Sequence, residues 1–492
     1  MKEKSNFNQA MWLGIGQLCT FAIAFITAPI LSRYFDKVEY GTYRQILYVY
    51  ISLQSLFTMG LPNVFAYFIP RLNVGQQKIL INRLTLIFLV LGGLFSLVLF
   101  LSAEMIGELL NNPELSVGIR LFSLFPLFTL PAMGVEGIYT AIRRAKEIAI
   151  YHIFSKIMMF LCIVLPVIIW HVGYRGAIIG WGIASFITFI IAMYMKKRPY
   201  VKVDVEKIPN MYREIFSYSF PLTGAFIAGF FVNSADQFFV SRYYGTQVFA
   251  EFSNGCFSIP IVGMIAVSVK SVLLPLFSKA DATHTLDSAV VSYNNAVKKT
   301  TTIVMPVLLF CVFFADDCVV ALFGKEYLNS QYYLRMYIIR DFLQIFPYFA
   351  VLMALGYSKF YMNMHILGAI LLWILDFIIV NVCGTASIIV LVSSLFHVLC
   401  SLAAFIFIYR KTRISLLPVN LQKYIGKLLL HCCICLTILF FVRNMKWMQC
   451  NVFMLLIVLG SLYYTMIIIS GKFLSINYLE SIQMLRKVRR NG

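Results

Sequence analysis

Charge is scarce in this 492-residue chain. Only 13% of its residues are Asp, Glu, Lys or Arg, against 60% apolar, and carboxylates are half as frequent as cations, 21 against 41. An ordinary soluble domain carries about 25% charge and 45–50% apolar residues, so a water-soluble fold of this length is excluded. Loops long enough to fold as a catalytic domain are missing. No Walker A sequence, HExxH or Asp-rich metal motif appears, which argues against ATP hydrolysis or metal-assisted chemistry by this chain. Alternation with period two, the mark of a barrel strand, is absent from the apolar runs, which leaves helices to satisfy the backbone in lipid. His431-Cys432-Cys433-Ile434-Cys435 has no second pair at zinc-ligand spacing, and its thiols read as small packed hydrophobes. The remaining histidines stand singly and suggest no metal site. We expect no catalytic constellation, no cofactor and no nucleic-acid partner.

What the chain has instead is long apolar runs. Segments 10–31, 84–101 and 452–469 continue with almost no charge, long enough at 1.5 Å per residue to cross about 30 Å of hydrocarbon. The first outlasts a signal-peptide h-region of about 7–15 residues and reads as an uncleaved span. Fourteen spans are expected, at 10–32, 45–68, 84–102, 117–141, 148–169, 176–195, 216–241, 252–275, 300–322, 334–355, 362–380, 385–409, 427–442 and 452–470. With the N-terminus inside, 28 of the 41 basic residues fall on the cytoplasmic side, including Lys196-Lys197-Arg198 and the tail 486–490. Ten fall opposite, and Lys156, Lys270 and Arg340 lie within spans. That bias predicts an N-in, C-in topology. The net charge of +20 then reflects orientation and contact with anionic membrane lipids.

The halves repeat. Span one ends Ser32-Arg33-Tyr34-Phe35, then Tyr40-Gly41-Thr42-Tyr43; span seven ends Ser241-Arg242-Tyr243-Tyr244, then Phe249-Ala250-Glu251-Phe252. The offset is 209 residues throughout, the separation of Ser32 from Ser241. Six helices between copies imply parallel repeats about an axis along the membrane normal. The expected architecture is all-α and polytopic. Residues 1–200 and 201–412 form pseudo-symmetric six-helix lobes, and 413–492 add two helices and a basic cytoplasmic tail.

These residues carry a resemblance. Asn8, Pro29 and Arg33, the Tyr40-Gly41-Thr42-Tyr43 run and Met59-Gly60-Leu61, with Tyr218-Ser219-Phe220-Pro221 and Ser234-Ala235-Asp236-Gln237 in the second half, resemble the polysaccharide transporter family. This family comprises the Wzx-type flippases of the multidrug/oligosaccharidyl-lipid/polysaccharide superfamily. The resemblance covers roughly residues 1–410; Gln237 departs from it, standing where the family more often has a basic residue. It implies two lobes in a V around a central cavity, a multi-pass protein of the bacterial cytoplasmic membrane, and an undecaprenyl-diphosphate-linked oligosaccharide carried outward by alternating access. That work belongs to O-antigen, lipopolysaccharide or related surface-polysaccharide biosynthesis, with a polymerase and chain-length machinery as further partners. The competing readings are a cation-coupled multidrug exporter of the same superfamily, a membrane polymerase or ligase, and a scramblase or assembly scaffold.

A diphosphate in a membrane needs cations, and its sugar needs hydroxyls, amides or aromatic faces. A charge within a span costs about 2.5–3.5 kcal/mol on insertion scales and so calls for a reason. The candidate substrate-binding residues are therefore Lys156, Lys270, Arg340 and Arg44, and the candidate coupling or gating residues Asp236 and Glu136. For each, the plainer alternative is snorkelling to an interface or pairing with a neighbouring charge, as Arg340 would with Asp341.

Overall fold

The computed structural model describes residues 6–206, 208, 211–382, 384–445 and 451–478. The basic tail at 486–490 and the side chains of Asn8 and Pro221 lie outside what is described. The described residues are helical throughout, with no strand, and fall into two compact units, Met1–Ala250 and Glu251–Gly492.

The first unit holds α1 (Asn6–Tyr34), α2 (Lys37–Thr58), α3 (Pro62–Phe68), α4 (Val74–Leu109) and α5 (Pro113–Phe122). It continues with α6 (Phe125–Ala132), α7 (Val135–Ala141), α8 (Ala145–Trp170), α9 (Tyr174–Lys197) and most of α10 (Met211–Gly255). The second holds α11 (Pro260–Ala282), α12 (Leu286–Phe313), α13 (Ala315–Phe323), α14 (Ser330–Leu343) and α15 (Tyr348–Ala354). After these come α16 (Ser358–Val382), α17 (Ser387–Thr412), α18 (Val419–Arg443) and α19 (Val452–Phe473). Among the described residues eleven helices are long and apolar enough to cross a membrane, or twelve if the pair bent by 48° between α5 and α6–α7 counts as one span. The other two expected spans, 45–68 and 216–241, fall on α2–α3 and on α10. Both are helical; α2 carries more polar side chains, among them Arg44, Gln45 and Gln54, whereas residues 215–232 of α10 hold no charged residue.

Lipid offers no hydrophobic drive for helix association, so contacts rest on close packing at small residues. In the first unit α1 packs on α8 where Gly16 meets Ala149, and α8 on α9 where Gly180 lies under the Cys162 carbonyl. Leu86, Val90, Leu97 and Leu101 on α4 are exposed at helical spacing, an apolar stripe suited to acyl chains. In the second unit α12, α18 and α19 share one core around Phe314, Leu428, Cys432, Leu436, Leu459 and Tyr463. Arg443 at the end of α18 binds Asp316 and Asp317 on α13, both at 2.6 Å, so the two C-terminal helices are built into that unit.

The repeated motif marks the same turn in each copy. After Tyr34 the chain is turned by Asp36, whose carboxylate accepts from the N–H groups of Val38 and Glu39 at the start of α2. At the position 209 residues on, Gly245 makes the turn instead, at φ +82°, a conformation a side chain disfavours. Beyond the turn, buried polar groups hold the motif in place. Gln45 donates to Ser241 (2.7 Å), and Asn112 donates to both Gln45 (2.6 Å) and Thr42 (3.0 Å). In the second unit Asn329 donates to Glu251, the repeat partner of Thr42, at 3.3 Å.

Gly41 sits where a Cβ would lie 2.2 Å from the Thr246 carbonyl oxygen, whereas a Cβ at Gly426 on α18 meets nothing within 4 Å. Gly41→Ala should therefore destabilise the folded protein by about 1–3 kcal/mol. Gly426→Ala should leave it unchanged or gain up to about 1 kcal/mol of helix propensity. Thermal unfolding in detergent distinguishes them, and equal melting temperatures would refute the close approach.

Candidate functional site

Pro260 opens α11 without a backbone N–H to give to the preceding turn, and the chain is unwound over Cys256–Ile259 between α10 and α11. In the first copy the aligned position is Ile51, inside the uninterrupted α2. The unwound stretch is held by one carboxylate. Asp341, fully buried on α14, accepts from the Ser258 hydroxyl (2.5 Å), the Ile259 N–H (2.7 Å) and the Gln344 amide (2.9 Å). Sequence reasoning treated Asp341 only as a possible partner for Arg340. Nothing in the sequence marks it as the clamp except its place shortly before Phe346-Pro347, where the helix of α14 itself ends.

Beside that break lies a cavity of about 340 Å³, within the second unit. Lys270 from α11 and Arg340 from α14 both line it, with Gln344, Tyr348, Tyr361 and His397. Arg340 donates from Nε to Ser394 (3.3 Å) and from its other arm to Ser393, and its guanidinium lies 4.9 Å from the Tyr337 ring centre. Lys270 is half-buried and makes no hydrogen bond or ion pair among the described residues. His397 bonds the Ser393 carbonyl through Nδ1 (2.7 Å). Gln344 reaches both Asp341 and Ser258, tying the cavity wall to the break. Among the described residues the lining contains two cations, an amide, two phenols, an imidazole and the Ser401 hydroxyl, and no carboxylate. Such a set can hold an anion and hydrogen-bond a hydroxyl-rich group beside it.

Two of the four sequence-predicted cations thus meet at one cavity. The other two lie in the first unit: Lys156 is half-buried on α8, its Nζ 4.0 Å from the Met159 sulfur, and Arg44 is half-buried on α2 among Tyr40 and Tyr43. Glu136 is exposed on α7 and lies 3.4 Å from His152 of α8, while Asp236 is buried on α10. His431 bonds Tyr478 and Ser470, each at 2.8 Å, so its ring nitrogens are engaged within the C-terminal helices. Lys196, counted on the cytoplasmic side, is buried within the protein, because α9 continues past it and brings it against the Pro131 carbonyl.

A polytopic helical bundle in two units, one of them carrying a polar, cation-lined cavity beside a broken span, defines a membrane transporter. Residues 7–281 match the family model described as polysaccharide biosynthesis protein, more than half of the chain. The chain belongs to that family, within the superfamily that groups polysaccharide flippases with multidrug exporters. It is 24% identical over 329 residues to the succinoglycan biosynthesis transport protein ExoT of Rhizobium meliloti, covering 64% of this chain and 62% of that one. It is 20% identical over 334 residues to the lipopolysaccharide biosynthesis protein WzxC of Escherichia coli, covering 66% and 65%. These matches span less than two thirds of either relative. Among solved structures, the lipid II flippase MurJ in its inward closed conformation superposes with a TM-score of 0.70 over 95% of this chain and 99% of its own, at 14% identity, a likeness of fold.

Replacing Asp341 by Ala would strand the Ile259 N–H and the Ser258 hydroxyl away from water. We expect a loss of roughly 3 kcal/mol, with Asp341→Asn losing less because one carbonyl acceptor remains. Melting temperatures of the purified variants check this. An Asp341→Ala protein as stable as the wild type would remove Asp341 as the clamp.

Proposed function

We propose that the chain carries a lipid-linked oligosaccharide, its sugar joined to undecaprenyl through a diphosphate, from the cytoplasmic to the outer leaflet of a bacterial cytoplasmic membrane by alternating access. The product serves surface-polysaccharide assembly, where a polymerase and chain-length machinery would receive it. The observation that carries this reading is the convergence of Lys270 and Arg340 on one cavity, with no carboxylate among the described residues of its lining. Lys270 has no partner among the described residues, and a cation in a membrane protein is retained at a cost that an arriving phosphate would offset. Arg340 offers a planar fork for phosphate oxygens, while Gln344, Tyr348, Tyr361 and His397 suit sugar hydroxyls. Family membership and the curated relatives, named for succinoglycan transport and lipopolysaccharide biosynthesis, support the same substrate class.

Lys156 and Arg44, in the first unit, are assigned to substrate binding on the cost of keeping a cation in a span. Glu136 and Asp236 are assigned to gating or ion coupling, Glu136 through its contact with His152. In this scheme residues 1–200 and 201–412 act as the two moving lobes, with 413–492 as an addition to the second. An exporter of organic cations would want carboxylates where this cavity has Lys270 and Arg340.

In proteoliposomes, wild-type protein should transfer a fluorescent undecaprenyl-diphosphate oligosaccharide between leaflets. Lys270→Ala and Arg340→Ala should each slow transfer by about tenfold or more, the worth of a charge-assisted contact. Unchanged transfer in both folded variants would remove this cavity from the substrate path. No transfer of any lipid-linked sugar, alongside ion-driven efflux of a soluble cation, would replace the flippase reading by the exporter. Orientation is read separately: a reporter fused after Gly492 should fold in the cytoplasm, and a periplasmic signal would refute the C-in topology.

A further inference from the structure

The first unit contains a second basic hollow, remote in sequence from Lys270 and Arg340. It has a volume of about 280 Å³ and lies between the start of α4 and the end of α9. Lys78 of α4 and Lys196 and Lys197 of α9 line it, with Asn82 and Tyr200. Lys196 is only 2% exposed. Its Nζ donates to the Pro131 carbonyl (2.6 Å) and, at 3.4 Å, to the Thr85 hydroxyl, and lies 5.1 and 5.9 Å from the ring centres of Phe65 and Phe88. Lys78 donates to the Val203 carbonyl (2.6 Å). The segment after α9 folds back over α4, with the Glu206 N–H on the Gly75 carbonyl (3.4 Å), and closes one side of the hollow.

Among the described residues, the groups that Lys78 and Lys196 touch are neutral. No carboxylate lines the hollow, and among the described residues none of the three lysines makes an ion pair. Carbonyl oxygens and ring faces satisfy protons but leave the positive charge uncancelled. Burying charge without an opposite charge costs several kcal/mol per ion. Ordinary snorkelling does not describe Lys196, which turns its ammonium away from the solvent that Lys197 reaches. The hollow also sits at the ends of two membrane-length helices, where basic pockets between helices take lipid head groups.

We infer that this hollow is a phosphate-binding site, with the buried ammonium of Lys196 as its floor and Lys78 and Lys197 as its rim. Asn82 supplies an amide donor beside them. The phosphate arrives either on an anionic phospholipid, whose acyl chains would run along α4 and α9, or as a soluble phosphate. Under the N-in topology the site faces the cytoplasmic leaflet.

The test uses the full-length protein, delipidated in detergent, with native mass spectrometry of retained lipid and thermal unfolding as readouts. Phosphatidylglycerol is titrated against phosphatidylcholine in one arm, and inorganic phosphate or pyrophosphate against chloride at equal ionic strength in the other. Lys78→Ala and Lys197→Ala are the main variants because their side chains lie at the rim; Lys196→Met keeps the buried stem and removes the charge. Selective phosphatidylglycerol retention that falls about fivefold for each lysine removed, with the lipid-free melting temperature unchanged, assigns the site to a lipid. A melting shift with inorganic phosphate that the variants lose assigns it to a soluble anion. Equal retention of the two lipids by the wild type, or unaltered binding in all three variants, together with no variant-sensitive phosphate shift, would overturn the proposal.

Discussion

Backbone N–H and C=O groups released inside hydrocarbon cost several kcal/mol each unless something takes them up, and this governs where a membrane helix can be interrupted. Between α10 and α11 the chain is unwound, and the Asp341 carboxylate takes up the Ile259 N–H set loose there together with the Ser258 hydroxyl. That one side chain fixes more than the break. Through Gln344 it sets one wall of the cavity, and because Arg340 is its chain neighbour on α14, the guanidinium is aimed from an anchored turn. Asp341 thus ties the interruption of the helix to the wall of the cavity.

The two copies of the repeat show how one scaffold came to carry different chemistry in its halves. Asp36 and Gly245 occupy the same place and make the same turn by different means, one by capping the next helix and one by accepting a left-handed backbone. Asn112 and Asn329 each precede a helix and each bond back to the motif, to Thr42 in one copy and Glu251 in the other. Ile51 and Pro260 then part company. Isoleucine continues α2, while proline ends the preceding helix and creates the unwound stretch. Turn and tie are shared, and the broken span with its cavity belongs to the second copy.

Much of this fold was readable from residue order because hydropathy is a local property summed along the chain. The long runs correspond to helices such as α4, α8 and α19, and the constant offset of 209 residues exposed the repeat without knowledge of any contact. The polar span was harder. Arg44, Gln45 and Gln54 dilute the apolar signal of α2, and what Gln45 touches depends on helices far away in sequence. Asp341 was invisible for the same reason: its ligands lie 82 and 83 residues earlier, and no spacing rule connects them. The burial of Lys196 was not legible either, because Lys-Lys-Arg after an apolar run marks an interface without saying which side chain turns inward. Here α9 outlasts its apolar stretch, and the ammonium turns inward to a carbonyl.

Cations in this protein are held in two distinct ways, and the difference bears on what each can do. Arg443 is matched by Asp316 and Asp317, a closed arrangement whose charge is cancelled inside the fold and whose role is to fasten α18 to α13. Lys196 is held by a carbonyl oxygen, a hydroxyl and ring faces, which orient the cation without neutralising it. An ion pair must be broken before a ligand can use its cation, and inside a low-dielectric interior that step costs several kcal/mol. A cation held by dipoles needs no such step: an entering phosphate keeps the existing hydrogen bonds and adds the missing charge. A carrier must also release what it binds, and dipolar holding leaves the empty site costly but intact. With a carboxylate standing where the Pro131 carbonyl now stands, the folded protein would hold Lys196 more firmly, and that cation would have little left to offer an anion.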